Sequence, residues 1–365
     1  MPGSLRELTN KIWKPFKKER LNLVALDIGT SSIKLIELGK KQNKITLEKF
    51  DMIPLPEGCI NGHHIESYSV LTEKLKEIVE KNNYSARDAA LVLSGPQIVT
   101  QLIKVPSGLE DHQLATHVEL EAEKYLPFST EVVSMDFDVI NAENKQKGEA
   151  EVIFAATKKT YIDEYINILK AADLNIKVMD IYSCVIGRLT THAVPNQIHE
   201  NVADKVIAVV DIGHEILTVT IFKNERQLYL KEQNFGGKIF NELIQKEHIV
   251  DFKLAEELKL KHSDPAVQKI LNIFVNQLVM QIYHMLQFFY ATTTAEKIDY
   301  IFLAGGGSNL PGLTEAVITK TSIDTKVLNP FAGIDISDYK SNQDFIKLHN
   351  NLGIACGLAL RSYVG

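Results

Sequence analysis

Cysteine is scarce in this chain. Cys59, Cys184 and Cys356 are the three present, far apart and without a CxxC pair. That spacing excludes a disulfide framework and the paired thiols of a zinc site, and it predicts a reducing compartment. Long apolar runs are also missing. None approaches the roughly 20 residues that a spanning helix needs, and the N-terminus lacks the apolar core of a secretory signal. There is no surplus of positive charge either. With 40 Lys and Arg against 46 Asp and Glu, the formal net charge of -6 offers no general attraction to nucleic acid. The eleven histidines form no HExxH and no Cys/His cluster, so no metal beyond magnesium is expected. No low-complexity tract or short-period repeat appears. What remains is an ordinary globular composition, 45% hydrophobic and 24% charged over 365 residues, enough for two well-buried domains. These features predict a cytoplasmic protein.

The first twenty residues stand apart. Leu5, Leu8, Ile12 and Phe16 fall near one helical face with Trp13 beside it, among Arg6, Lys11, Lys14, Lys17, Lys18 and Arg20. Such an arm can lie on an anionic membrane surface or dock loosely on the protein, and Pro15 breaks it as one long helix. From Leu21 the pattern turns to strands: the run 23–26, then 32–38 and 45–52 split by a polar turn at 39–43. A helix follows over 66–81 and a buried strand over 89–93. The segment 97–178 reads strand, helix (110–126, stopped by Pro127), strand, strand, helix (161–172), strand, which suggests a small α+β insert. Beyond it come a second apolar run at 206–211, a meander, a long helical region including 265–290, a buried strand at 300–304, and a small-residue helix at 348–360.

One repeat is of half-chain size. Val24 to Thr30 reads Val-Ala-Leu-Asp-Ile-Gly-Thr, and Val209 to His214 reads Val-Val-Asp-Ile-Gly-His. Each is an apolar strand running into Asp-x-Gly, followed by another strand, so two related lobes are expected. A phosphate needs close-packed backbone amides, which glycine permits. An aspartate ending a buried strand can hold Mg²⁺ through its waters. Facing one another, the two loops would clamp a phosphate chain. Asp27, Gly29, Thr30, Ser31, Ser32, Asp211 and Gly213 are the candidates, with the His214 amide as a further donor. Lys34 falls where it faces either the phosphates or solvent. A third element runs from a buried strand into Gly305, Gly306 and Gly307, then Ser308 and Asn309, and is expected to open a helix toward the ligand. It is neither a Walker A loop nor a GxGxxG fingerprint.

In this order the three elements resemble the phosphate-1, phosphate-2 and adenosine motifs of the actin/heat-shock-chaperone/hexokinase superfamily, over residues 21–360. The resemblance implies an α/β, ribonuclease H-like two-lobed fold binding ATP and Mg²⁺, the ion held by Asp27 and Asp211 through water. Residues 182–189 and 353–359 resemble its two connecting helices. Gly236, Gly237 and Lys238 resemble the glycine pair opening a subdomain of the second lobe. Glu256 and Lys259 resemble the E-x-x-K pair that contacts ribose and adenine.

An insert in the first lobe resembles subdomain 1C of the division protein FtsA and of the type IV pilus protein PilM. Residues 121–128 with 135–137, residues 310–313 with 329–331, and a chain that stops at Gly365 without a membrane-targeting helix favour the PilM family. The expected layout is a basic arm (1–20), subdomain 1A (21–96, 179–204 and 336–365), 1C (97–178), 2A (205–235 and 298–335) and 2B (236–297). The resemblance implies a component of the type IV pilus platform, peripheral at the inner membrane, with other platform proteins and self-association as further contacts. Its partner by family is the cytoplasmic N-terminal peptide of PilN, in a groove near Glu121, Lys124 and Tyr125. No water-positioning residue for hydrolysis is identified, so weak or conditional ATPase activity is expected. The alternatives are an FtsA-like division adaptor and a small-molecule kinase, for which Asp180 is the candidate base.

Overall fold

The structure is a computed structural model describing residues 23–82, 84, 87–144, 148–259, 264–293 and 297–364. The basic arm at 1–20 lies outside the described residues. In chain order the elements are β1 (Val24–Ile28), β2 (Ser32–Lys41), β3 (Lys44–Pro54), β4 (Ile60–Asn61), β5 (His64–Ile65), α1 (Tyr68–Asn82), β6 (Asp88–Leu93), β7 (Val99–Pro106), α2 (Asp111–Ala122), β8 (Val133–Asn144), β9 (Glu149–Lys158), α3 (Lys159–Ala171), β10 (Asn175–Ile181) and α4 (Tyr182–Ile198). The second half continues with β11 (Val206–Ile212), β12 (Ile216–Lys223), β13 (Arg226–Asn234), α5 (Gly237–His248), α6 (Phe252–Lys259), α7 (Pro265–Thr292), β14 (Tyr300–Ala304), α8 (Leu313–Thr321), β15 (Asp324–Val327), α9 (Gln343–Leu348) and α10 (Gly353–Ala359).

Each half builds the same five-stranded sheet. The first has the order β10-β6-β1-β2-β3 and the second β15-β14-β11-β12-β13. In both, a central strand pairs antiparallel with the next strand in sequence and parallel with a later one. The duplication reaches the turns. β2 and β3 meet through Gln42 and Asn43, and β12 and β13 through Asn224 and Glu225, all four with positive φ. A two-residue hairpin turn requires this, because only that twist matches the strands it joins. The polar turn expected over 39–43 is therefore tighter than its composition suggested.

The central strands β1 and β11 are apolar on both sides because each sheet is covered on both faces. Outward, β1 and β6 face α1 and α3, with Leu26, Leu71, Leu75, Ile168 and Leu169 in one core. Outward of the second sheet lies α7. Asp264 caps its start by accepting from the Ala266 amide at 2.9 Å, Pro265 follows, and Phe274, Leu278, Ile282 and Phe289 face the sheet. Between the sheets, α4 and α10 share a core with Ala25, Ile36, Val209 and Phe302. A Cβ on Gly357 would stand 2.7 Å from the Val185 carbonyl oxygen, so the two helices cross at van der Waals contact.

The insert has a core of its own, which joins α2 to the three-stranded sheet β7-β9-β8 through Ile103, Val118, Val152 and Phe154. Helix α3 and strand β10 belong to the first lobe, because Tyr161, Tyr165 and Leu169 pack onto α1 and β10 closes the first sheet. The expected 1C segment, 97–178, therefore holds a separately cored part, 99–158, followed by two elements that pack with the first lobe. Helix α2 also stops at Ala122, short of the expected 126.

Candidate functional site: the cleft between two Asp-Ile-Gly turns

Both Asp-x-Gly loops fold into the same turn. The Gly29 amide donates to the Ser32 carbonyl at 3.0 Å, and the Gly213 amide donates to the Ile216 carbonyl at 3.0 Å. Across the hairpins Asp27 faces Lys34, and Asp211 faces Thr218 at the equivalent step. The two lobes thus set an aspartate at the same point of the same turn. The third element closes against the second: the Gly307 amide donates to the Ile212 carbonyl at 3.1 Å. Gly305 has φ +79, and a Cβ there would lie 2.3 Å from Asp211 Oδ1. Only glycine lets this turn lie against the carboxylate.

Several expected phosphate donors are already used. The Gly237 amide donates to the Gly213 carbonyl at 3.0 Å and the Lys238 amide to the His214 carbonyl at 2.7 Å, which docks the start of α5 onto the second Asp-x-Gly turn. The amides of Gly29, Gly213, Gly237, Lys238 and Gly307 thus hold the turns together in this structure. Among the described residues, Thr30, Ser31, His214 and Gly306 keep amides outside these turn bonds. Lys34 is turned away from solvent toward the first Asp-x-Gly turn, its Nζ 3.0 Å from Asp27 Oδ2. Ser32 is buried, and Asn309 is exposed. The glycine cluster does not open a helix either, since α8 begins only at Leu313 after a further turn.

Glu256 and Lys259 pair with each other at 2.7 Å, and Asn241 donates to the same carboxylate. A Cβ on Gly237 would stand 3.6 Å from Lys259 Nζ and 3.8 Å from His214 Nδ1, so these groups share one wall of the cleft. The lysine and the Asn241 amide hold Glu256 below its ordinary range against the opposing effect of burial. Burial, with the Lys259 charge nearby, holds His214 low.

Contacts that the sequence did not announce close the cleft at two levels. At the mouth, the Gly62 amide and Lys238 Nζ both donate to the Glu215 carboxylate, at 2.7 and 2.8 Å, and His63 meets Glu232 at 3.2 Å. At the floor, the Tyr182 hydroxyl donates to Asp211 Oδ2 at 3.1 Å. Asp180 is no base facing the cleft. It is 1% exposed, and its Oδ2 accepts from Arg188 at 3.0 Å and Arg361 at 2.8 Å. The kinase reading loses its candidate residue. On the insert, Glu121 and Lys124 pair at 2.7 Å, and the half-exposed Tyr125 ring lies 6.2 Å from Phe154.

Burial, followed by the nearby Asp27 charge, raises Asp211 to about 6. The folded state then binds more protons than the unfolded chain between about pH 4 and pH 6, so ionising Asp211 costs stability as pH rises through that window. Asp211→Asn is expected to melt above wild type at pH 7.5 without ligand, by about 1 kcal/mol, and to lose that advantage at pH 4. Melting curves at both pH values check this; an advantage independent of pH would refute it.

Two aspartates set at matching turns suit a hydrated Mg²⁺, which keeps its waters and takes remaining ligands from phosphates. Among the described residues no group of three or more His, Cys, Asp or Glu stands close enough to hold a metal by itself. The two aspartates present fit an ion held through its waters.

Duplicated sheets, crossed connecting helices and paired Asp-Ile-Gly turns define an actin-like ATPase fold. The profile of the type IV pilus assembly protein PilM matches residues 25–363. The chain belongs to that family. It is similar to a solved PilM–PilN type IV pilus biogenesis complex, with 23% identity, 94% of this chain and 99% of that one covered, and a TM-score of 0.79. It is also similar to the ethanolamine utilization protein EutJ from Carboxydothermus hydrogenoformans, with 12% identity, coverage of 98% and 93%, and a TM-score of 0.54. At these identities both likenesses carry the fold. The family profile carries the assignment to type IV pilus assembly.

Proposed function

We propose that this protein is a nucleotide-gated adaptor of the type IV pilus platform, binding ATP with Mg²⁺ between its lobes and a PilN-type cytoplasmic N-terminal peptide beside its insert. The observation that carries the nucleotide half is the pair of matching turns that place Asp27 and Asp211 within electrostatic reach of one another. When bound, Mg²⁺ would neutralise the phosphate charge between them. Asp27 and Asp211 would hold its waters, the Thr30, Ser31 and His214 amides would face phosphate oxygens, and Glu256 with Lys259 would line the nucleoside end. Lys34 would lend its charge once released from Asp27.

The partner half rests on family membership and on a separately cored insert beside the first lobe. The PilM of the similar complex is assembled with PilN, and the same docking would keep this chain peripheral at the inner membrane. No helix among the described residues is long and apolar enough to cross a membrane, so attachment through a membrane-spanning partner fits the design. Asp27 pairs with Lys34 and Asp211 with Tyr182. With both aspartates engaged by side chains of the protein, the cleft is read as setting lobe closure more than rapid turnover.

Calorimetry with the partner's N-terminal peptide tests the gating. Allosteric couplings of 1–3 kcal/mol correspond to roughly 5- to 150-fold, and a peptide affinity at least fivefold different with Mg·ATP is expected. Equal affinities with and without it would remove the gating.

A further inference from the structure

We infer that Tyr182 belongs to the nucleotide site as the residue that orients Asp211 toward the metal, linking the Mg·ATP position to the first connecting helix. The inference rests on the proposed ATP-binding reading. Asp211 sits at the end of a central strand, where its carboxylate is fixed from two sides. Oδ2 accepts the Tyr182 hydroxyl at 3.1 Å, and Oδ1 lies against Gly305, so close that a Cβ there would stand 2.3 Å away. A carboxylate so held cannot swing about its terminal torsion, which is otherwise broad for aspartate. Its remaining lone pairs then point in one direction, and the opposing aspartate, Asp27, is already engaged by Lys34 at 3.0 Å. Water ligands of Mg²⁺ need acceptors fixed in place, because the ion tolerates little departure from octahedral geometry.

Tyr182 is also the first residue of α4, and its ring packs on the core shared by the two sheets. Two residues earlier, Asp180 is tied to Arg188 on α4 and to Arg361 beyond α10. Arg188 also donates to the Gly357 carbonyl of α10 at 3.1 Å. The start of α4 is therefore held at one end by the second-lobe aspartate and along its length by the other connecting helix. Tyr182 reaches from α4 to the second-lobe aspartate, so a change in the position of Asp211 acts on the start of that helix. Its action is through Asp211, which makes it a positioning residue.

Tyr182→Phe keeps the ring and its packing and deletes only the hydroxyl. ATP binding to wild type and variant is measured by calorimetry with Mg²⁺ and with EDTA, beside melting curves without ligand. Hydrogen bonds to charged groups are worth enough for about a tenfold effect. The expected result is a roughly tenfold weaker affinity for Mg·ATP in the variant, and an unchanged affinity for metal-free ATP. A tyrosine with a purely structural role would weaken both equally, and that outcome overturns the inference. Mg·ATP affinity within twofold of wild type, or higher than it, overturns it too. Wild type failing to bind ATP under either condition would instead overturn the nucleotide reading on which it rests.

Discussion

Asp180→Ala is expected to destabilise the protein by about 3–5 kcal/mol, the usual cost of removing one partner from a buried ion pair. The carboxylate is 1% exposed and serves two arginines, whose side chains are 15% and 18% exposed. Its removal takes from both half-buried arginines the carboxylate they share. The effect is larger than one lost contact because the three residues join β10, α4 and the turn after α10. Urea unfolding followed by circular dichroism measures it. A loss under 1 kcal/mol would show that solvent reaches the arginines freely. Asp180→Leu with Arg188→Met and Arg361→Met is expected to recover much of the loss, since an apolar replacement of a whole buried ionic group is often neutral.

Gly305→Ala is expected to weaken Mg·ATP binding about a hundredfold, or roughly 3 kcal/mol. The added methyl would meet Asp211 Oδ1 at 2.3 Å and the Ile212 carbonyl oxygen at 2.7 Å. One of those contacts is the candidate metal acceptor and the other accepts the Gly307 amide, so neither can move without loss. The φ of +79 adds about 1–2 kcal/mol of strain for any side chain. Calorimetry on the folded variant decides the matter, and an affinity within threefold of wild type would show that the turn is not part of the site.

The fold was legible because its two central strands are buried on both faces and end in the same turn chemistry. An apolar run leading into Asp-Ile-Gly, met twice, carries its own explanation. The insert's limits were not legible. The apolar stripe of α3 is real, yet a stripe does not say which core it joins, and Tyr161 and Leu169 face α1 rather than the insert sheet. Glycine-rich loops suggest close-packed amides, but not which of them the loops use themselves, as the Gly213, Gly237 and Gly307 amides are used here. The partners of Asp180, Asp211 and Glu215 were out of reach for another reason. Asp180 meets Arg361, and Gly62 meets Glu215, across the length of the chain. No spacing rule covers pairs that only the packed lobes create. Glu215 carried one signal, its place directly after the second Asp-Ile-Gly turn.

The core between the sheets contains Leu23 and Ala25 from the start of the described chain and Leu352, Ala355 and Leu360 from near its end. On the ribosome this makes the two lobes unequal. The second lobe's five strands come as one stretch, between Val206 and Val327. The first lobe's strands come earlier, so its inner face waits longer for α10, although both sheets share that core. Aggregation and dependence on chaperones should therefore trace more to the first lobe, though its strands are synthesised first.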